Sequence, residues 1–164
     1  MTQIPMIPNW DGLHPLMIHF PIVLFLLAPV FLLFAAFTRA DRRSTFLSAA
    51  LLVMVLGSVS VHASFETGLA ARARLDRTGE AGTIVERHRE LADLARSSFA
   101  MATLFFSLTL LIRTVLQVNM YELTGVLPLG SVVFYGLGLF WLINAAYNGE
   151  RLVHEFGVNG ITSP

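Results

Sequence analysis

The sequence predicts an all-α membrane protein: a four-transmembrane-helix up-down bundle whose third and fourth helices extend beyond one membrane face. Three observations predict it. Hydrophobic residues make up 55% of the 164-residue chain and charged residues only 13%, against about 25% in soluble domains. Four stretches nearly free of charge approach or exceed the roughly 20 residues that cross the hydrocarbon layer. The connections between them are polar, two short and one long. Together these mark a single four-span membrane domain over residues 1–164. Its spans lie at about 13–37, 44–65, 95–118 and 128–149, with a polar connection at 66–94.

The first span opens on LHPLMIHFPIVLF. Pro15 suits the first helical position, and His14, as the residue before a proline, suits a helix cap at the interface. Pro21 lies inside the helix. It has no N–H, so it frees the Met17 carbonyl for a neighbouring side chain or a water. The second span follows the short polar turn TRADRRS. The third has its uncharged core at Ser97–Ile112 and starts earlier, because Thr83-Ile-Val-Glu86 has capping-box spacing. From there Ile84, His88, Leu91, Ala95 and Phe99 recur three or four apart and share one face. The third helix therefore begins about three turns before the membrane, with His88 on its inward stripe. The fourth helix opens near Pro128 and runs on to Glu155, with Gly157 as its stop. Trp10, Trp141 and Tyr147 fit an aromatic belt, and Met54, Met101 and Met120 read as packing.

Composition excludes several functions. With no cysteine, disulfides, thiolate-held iron–sulfur clusters and covalent haem are ruled out. All 11 basic residues are arginine and the net charge is zero, which leaves no footprint for nucleic acid. No nucleophile–base constellation can be recognised, so the chain reads as a non-enzyme.

Histidine carries the remaining chemistry. With four spans the termini share one side, and His14, His19, His62, His88 and His154 all fall at that end. Each has a structural alternative. His14 is a cap or a ligand. His19 lies about 7 Å into the helix, where polar side chains mark function. His88 occupies an apolar stripe, as a ligand or as a donor to a carbonyl on an adjacent helix. His62 with Glu66 is a ligand with its supporting carboxylate or a local pair. His154 with Glu150 reads as a solvated pair. Asn144, Asn148 and Arg151 form a polar stripe, and the arginines of the middle connection cover a charged helix surface or hold cofactor carboxylates.

The segments LHPLMIHFPIVL, ASFETGLAARARL, VERHRELADLA and NGERLVHEFGVNG resemble the bacterial membrane domain of unknown function, family 2231, over nearly the whole chain. His14, Pro15, His19, Phe20 and Pro21 match its HP-x-x-x-HFP opening, and Thr67 and Gly68 its TG. His88 matches the histidine before span three, and Gly149, Leu152, Val153, Gly157 and Val158 its ending. Asn148 and His154 depart from it, where the family has Gly and Tyr. The resemblance implies a redox accessory, because the domain is found fused to Rieske-type or c-type cytochrome modules.

The expectation is a small integral-membrane electron-transfer protein binding haem b, with His19 and His88 as axial ligands, His14 and His62 as alternates, and Arg151 beside the cofactor. Ligands from two facing helices are how bundles build such sites. The main alternative is a Cu, Zn or Fe ion held by three or four of His14, His19, His62 and His88, with or without Glu66; another is a structural subunit that binds no cofactor. Expected partners are the lipid bilayer and a redox protein or a second copy, with no nucleic acid. The expected location is the bacterial inner membrane, multi-pass. Summed over the connections, the histidine side carries more arginine, the six of the middle connection (counted through Arg96) plus Arg151 against Arg39, Arg42, Arg43 and Arg113. Helix one, with no basic residue before it and three after, is taken to dominate, and the termini and the histidines are expected on the periplasmic side.

Overall fold

The structure is a computed structural model that describes residues 13–73, 78–117 and 126–157, with side chains described for all but 126–129 of these. Trp10, Met120 and Val158 lie outside the described residues. Five helices account for the architecture: α1 (His14–Met17), α2 (His19–Phe37), α3 (Ala40–Arg72), α4 (Gly79–Leu116) and α5 (Val126–His154). α1 and α2 form one candidate span, His14–Phe37, and the other three helices supply three more. The result is the expected four-helix up-down bundle.

Helix length explains the overhang at one end. A hydrocarbon layer is about 30 Å thick, whereas the 38 residues of α4 reach about 57 Å at 1.5 Å per residue. α3 continues to Arg72, so helix occupies much of the segment expected as connection. α4 begins at Gly79, a turn before the expected capping box. Thr83 is consequently an interior residue whose hydroxyl donates to the Gly79 carbonyl at 3.3 Å. Glu86 does not cap the helix, because Arg72 at the end of α3 and Arg89 (3.1 Å) hold its carboxylate. At the other extreme α5 stops where predicted, and Gly157 takes a φ of 64°.

Prolines tie the first span to its neighbours. Pro21 withholds the amide that would bond Met17, and the Ser64 hydroxyl of α3 donates to the Met17 carbonyl instead, at 2.9 Å. Pro29 does the same to Phe25, whose carbonyl accepts the hydroxyl of Tyr135 from α5. In a membrane such freed carbonyls must find a partner inside the protein. Here each becomes an interhelix bond.

α2 packs along α3, and α4 along α5, while α3 and α4 meet over a shorter seam. The chain is therefore two hairpins, and they are built alike. In the first, His14 and Phe25 lie eleven residues apart and rest on Gly68 and Gly57, also eleven apart. In the second, His88 and Phe99 rest on Gly149 and Gly138 with the same spacings. Eleven residues are about three turns, so each pair shares a face. Both hairpins run out and back in the same sense, which makes them parallel repeats about an axis along the bundle. Phe25 and Phe99 meet at that centre, stacked with centroids 3.5 Å apart and planes 6° from parallel.

The apolar core fills the bundle from this stack toward the far end, with Ala28, Leu47, Ala50, Met54, Ala102 and Phe106 buried. A small second cluster of Ile84, Val85 and Leu152 closes the near end. Between the stack and that cluster lies a cavity.

Candidate cofactor site

The cavity has a volume of ≈ 440 Å³, within the roughly 300–1,000 Å³ typical of small-molecule sites. Its walls are mostly apolar, contributed by residues such as Ile18, Val61, Phe65, Val85 and Leu142, and His14 and His88 both reach it. Every helix of the bundle contributes.

His14 does not cap its own helix. Its ring crosses to α3, where Nδ1–H donates to the Ser64 carbonyl at 2.9 Å, with the Thr67 hydroxyl oxygen 3.3 Å away. Thr67 is fully buried and its own hydroxyl donates to the same Ser64 carbonyl. His88 crosses to α5 in the equivalent way, and its Nδ1–H donates to the Ala145 carbonyl at 2.8 Å. The equivalence extends to register: Ala145 precedes Gly149 by four residues, as Ser64 precedes Gly68. Gly68 and Gly149 leave room for the rings, since a Cβ would come within 2.9 Å of the His14 Cε1 and 3.2 Å of the His88 Cε1.

A carbonyl can only accept, so each Nδ1 carries the proton and each Nε2 keeps its lone pair. This is how metal-binding imidazoles are usually oriented. The two rings stand edge to face, with centroids 6.3 Å apart and planes at 80°. Among the described residues no group of three His, Asp or Glu side chains comes together to hold a metal ion. The set of three or four imidazoles is therefore not assembled there.

The other expected ligands lie elsewhere. His19 is exposed, being about 140° round the helix from His14. The imidazole that faces His88 is thus that of His14. His62 is also exposed; it sits 4.0 Å from Glu66, and Arg96 donates to its Nδ1 at 3.2 Å. His154 and Glu150 reach the cavity only at its exposed rim. Arg151 is held away from the cavity by a two-pronged bond to Glu155, at 2.7–3.0 Å, and by Glu80 at 3.7 Å. Its guanidinium keeps the Glu155 carboxyl below the usual carboxylate range. Two other arginines line the cavity, Arg72 and Arg89. Composition alone did not single them out from the other arginines of the middle connection. Arg72 carried one usable signal, since it follows Gly68 by four residues and so shares its face.

Fold and site define a class: a four-span helical membrane protein with an imidazole-lined cavity between two parallel hairpin repeats, near one end. The chain belongs to the family described as "Predicted membrane protein (DUF2231)", whose model matches residues 11–161. No curated protein and no solved structure matches it. Of the residues that carried the resemblance, His14, Pro15, Pro21, Gly68, His88, Gly149, Leu152 and Val153 all line this cavity, and His19 does not.

Proposed function

We propose that the protein binds haem b in this cavity, where His14 and His88 would hold the iron, and serves as a small electron carrier or as a subunit of a membrane redox complex. The observation that supports the reading is the close pair of imidazoles, one from each hairpin. Metal–imidazole bonds are about 2.0–2.1 Å long, so two rings sharing one ion stand with centroids roughly 6 Å apart, close to the 6.3 Å found. A pair of imidazoles without a third protein ligand suits an ion whose other positions are filled by a macrocycle. The apolar walls suit its body. When bound, haem supplies one-electron transfer. The protein's own part is to fix both tautomers through the Ser64 and Ala145 carbonyls and to keep the Phe25–Phe99 stack beneath. The partners follow from this role: lipid around the bundle, and a redox protein meeting the exposed end. The three arginines that follow the first helix support assigning that end to the periplasmic face of a bacterial inner membrane.

The test is a visible spectrum of the purified protein, produced with ample haem, with and without dithionite. A b-type α band on reduction, with pigment extracted by acid acetone, supports the reading. A colourless protein holding stoichiometric copper, zinc or iron establishes the bare-ion alternative. A well-folded protein holding neither establishes the structural one.

A further inference from the structure

Arg72 raises a question that the imidazole pair leaves open. It lines the cavity and its terminal nitrogen is committed to Glu86. Its Nε is nevertheless buried without a hydrogen-bond partner, an isolated case among the described side chains. A buried guanidinium nitrogen left without an acceptor is costly, more so than a neutral donor. Arg89 stands beside it, adjacent in sequence to His88, with its Nε on the other oxygen of Glu86 at 3.1 Å. Both arginines sit near an imidazole: Arg72 is one turn, about 6 Å, beyond the glycine that carries His14. The same wall holds one carboxylate, Glu150, at the exposed rim. The cavity therefore has an apolar body and a cationic edge with an unused donor.

We infer that the ligand of this cavity carries carboxylates along one edge, and that Arg72, with Arg89 beside it, is the group that receives them. Glu86 positions the two guanidinium groups as a pair and leaves the Arg72 Nε for the ligand. The inference rests on the haem reading, for which the carboxylates are the two propionates. On this reading the acidic edge of such a ligand would meet the part of the wall that Arg72 and Arg89 form.

Two porphyrins test it. The full chain, purified without cofactor in detergent, is titrated with ferric protoporphyrin IX and with its dimethyl ester, and binding is followed by the Soret band. The diacid is expected to bind at least about tenfold more tightly than the diester, as charge-assisted hydrogen bonds imply. Arg72→Gln should lower diacid affinity by a similar factor and leave diester affinity unchanged. Equal binding of the two porphyrins by the unaltered chain overturns the carboxylate edge and leaves the haem site standing. An Arg72→Gln loss that is the same for both porphyrins overturns it too, because it marks a role in folding. If neither porphyrin binds, the haem reading fails and this inference with it.

Discussion

Gly68 is the floor on which His14 stands: a Cβ at that position would come within 2.9 Å of the imidazole Cε1. Gly68→Ala should therefore displace the ring while leaving the helices in place. On the haem proposal, the expected result is loss of most of the haem at near-normal helix content, measured by absorbance and circular dichroism on the same sample. Gly149→Ala should do the same to His88, less severely, since its clearance is 3.2 Å. Full cofactor retention in both variants would show that the rings can shift without consequence.

The two imidazoles occupy equivalent places in the two hairpins, so neither should dominate. His14→Ala and His88→Ala are each expected to abolish or severely reduce haem retention, at protein abundance within about twofold of the parent. His19→Ala, His62→Ala and His154→Ala should leave the spectrum intact. Haem content and immunodetected protein are read together. Loss in His19→Ala with retention in His14→Ala would sink the ligand assignment.

Tyr135 should stabilise the bundle only because Pro29 is present. Tyr135→Phe removes the donor to the Phe25 carbonyl, and interhelix bonds of this kind in membranes contribute about 0.6 kcal/mol, up to about 1.7. In a Pro29→Ala background the residue-29 amide can serve that carbonyl, so the same substitution should be nearly neutral. A double-mutant cycle of detergent unfolding measures the difference. An unchanged Tyr135→Phe effect in both backgrounds would separate the tyrosine from the proline.

Orientation is testable without the cofactor. A reporter active only in the cytoplasm, fused after Pro164, should be silent, and one that needs export should be active. The reverse pattern would place the cavity at the cytoplasmic face.

How much of this was legible in the sequence varies by residue. The four spans followed from charge-free length, and the Met17 carbonyl freed by Pro21 found its partner in Ser64 as expected. The inward stripe of the third helix also held, with Ile84, Leu91, Ala95 and Phe99 buried. The choice between His14 and His19 was not legible. The first span is apolar on all sides, so periodicity does not say which face meets α3, and the two histidines lie on different faces. Thr83 and Glu86 misled for another reason: capping-box spacing is local, whereas Arg72 reaches Glu86 from a different helix. The repeat was present in plain view as H-x10-F, which occurs twice, with the G-x10-G pairs Gly57/Gly68 and Gly138/Gly149 among the five glycine pairs of that spacing. It becomes recognisable only when each glycine is seen beneath its ring, because the residues between share no pattern.

The division into two hairpins also sets a timetable. His14 belongs to the first hairpin, yet the ring beside it comes from the second, His88, and rests on Gly149 of α5. Translation thus supplies His14 and its Gly68 cradle before His88 and Gly149. A chain truncated before α5 would keep both imidazoles, His14 and His88, yet lose the Ala145 carbonyl and the Gly149 surface that hold the second one in place.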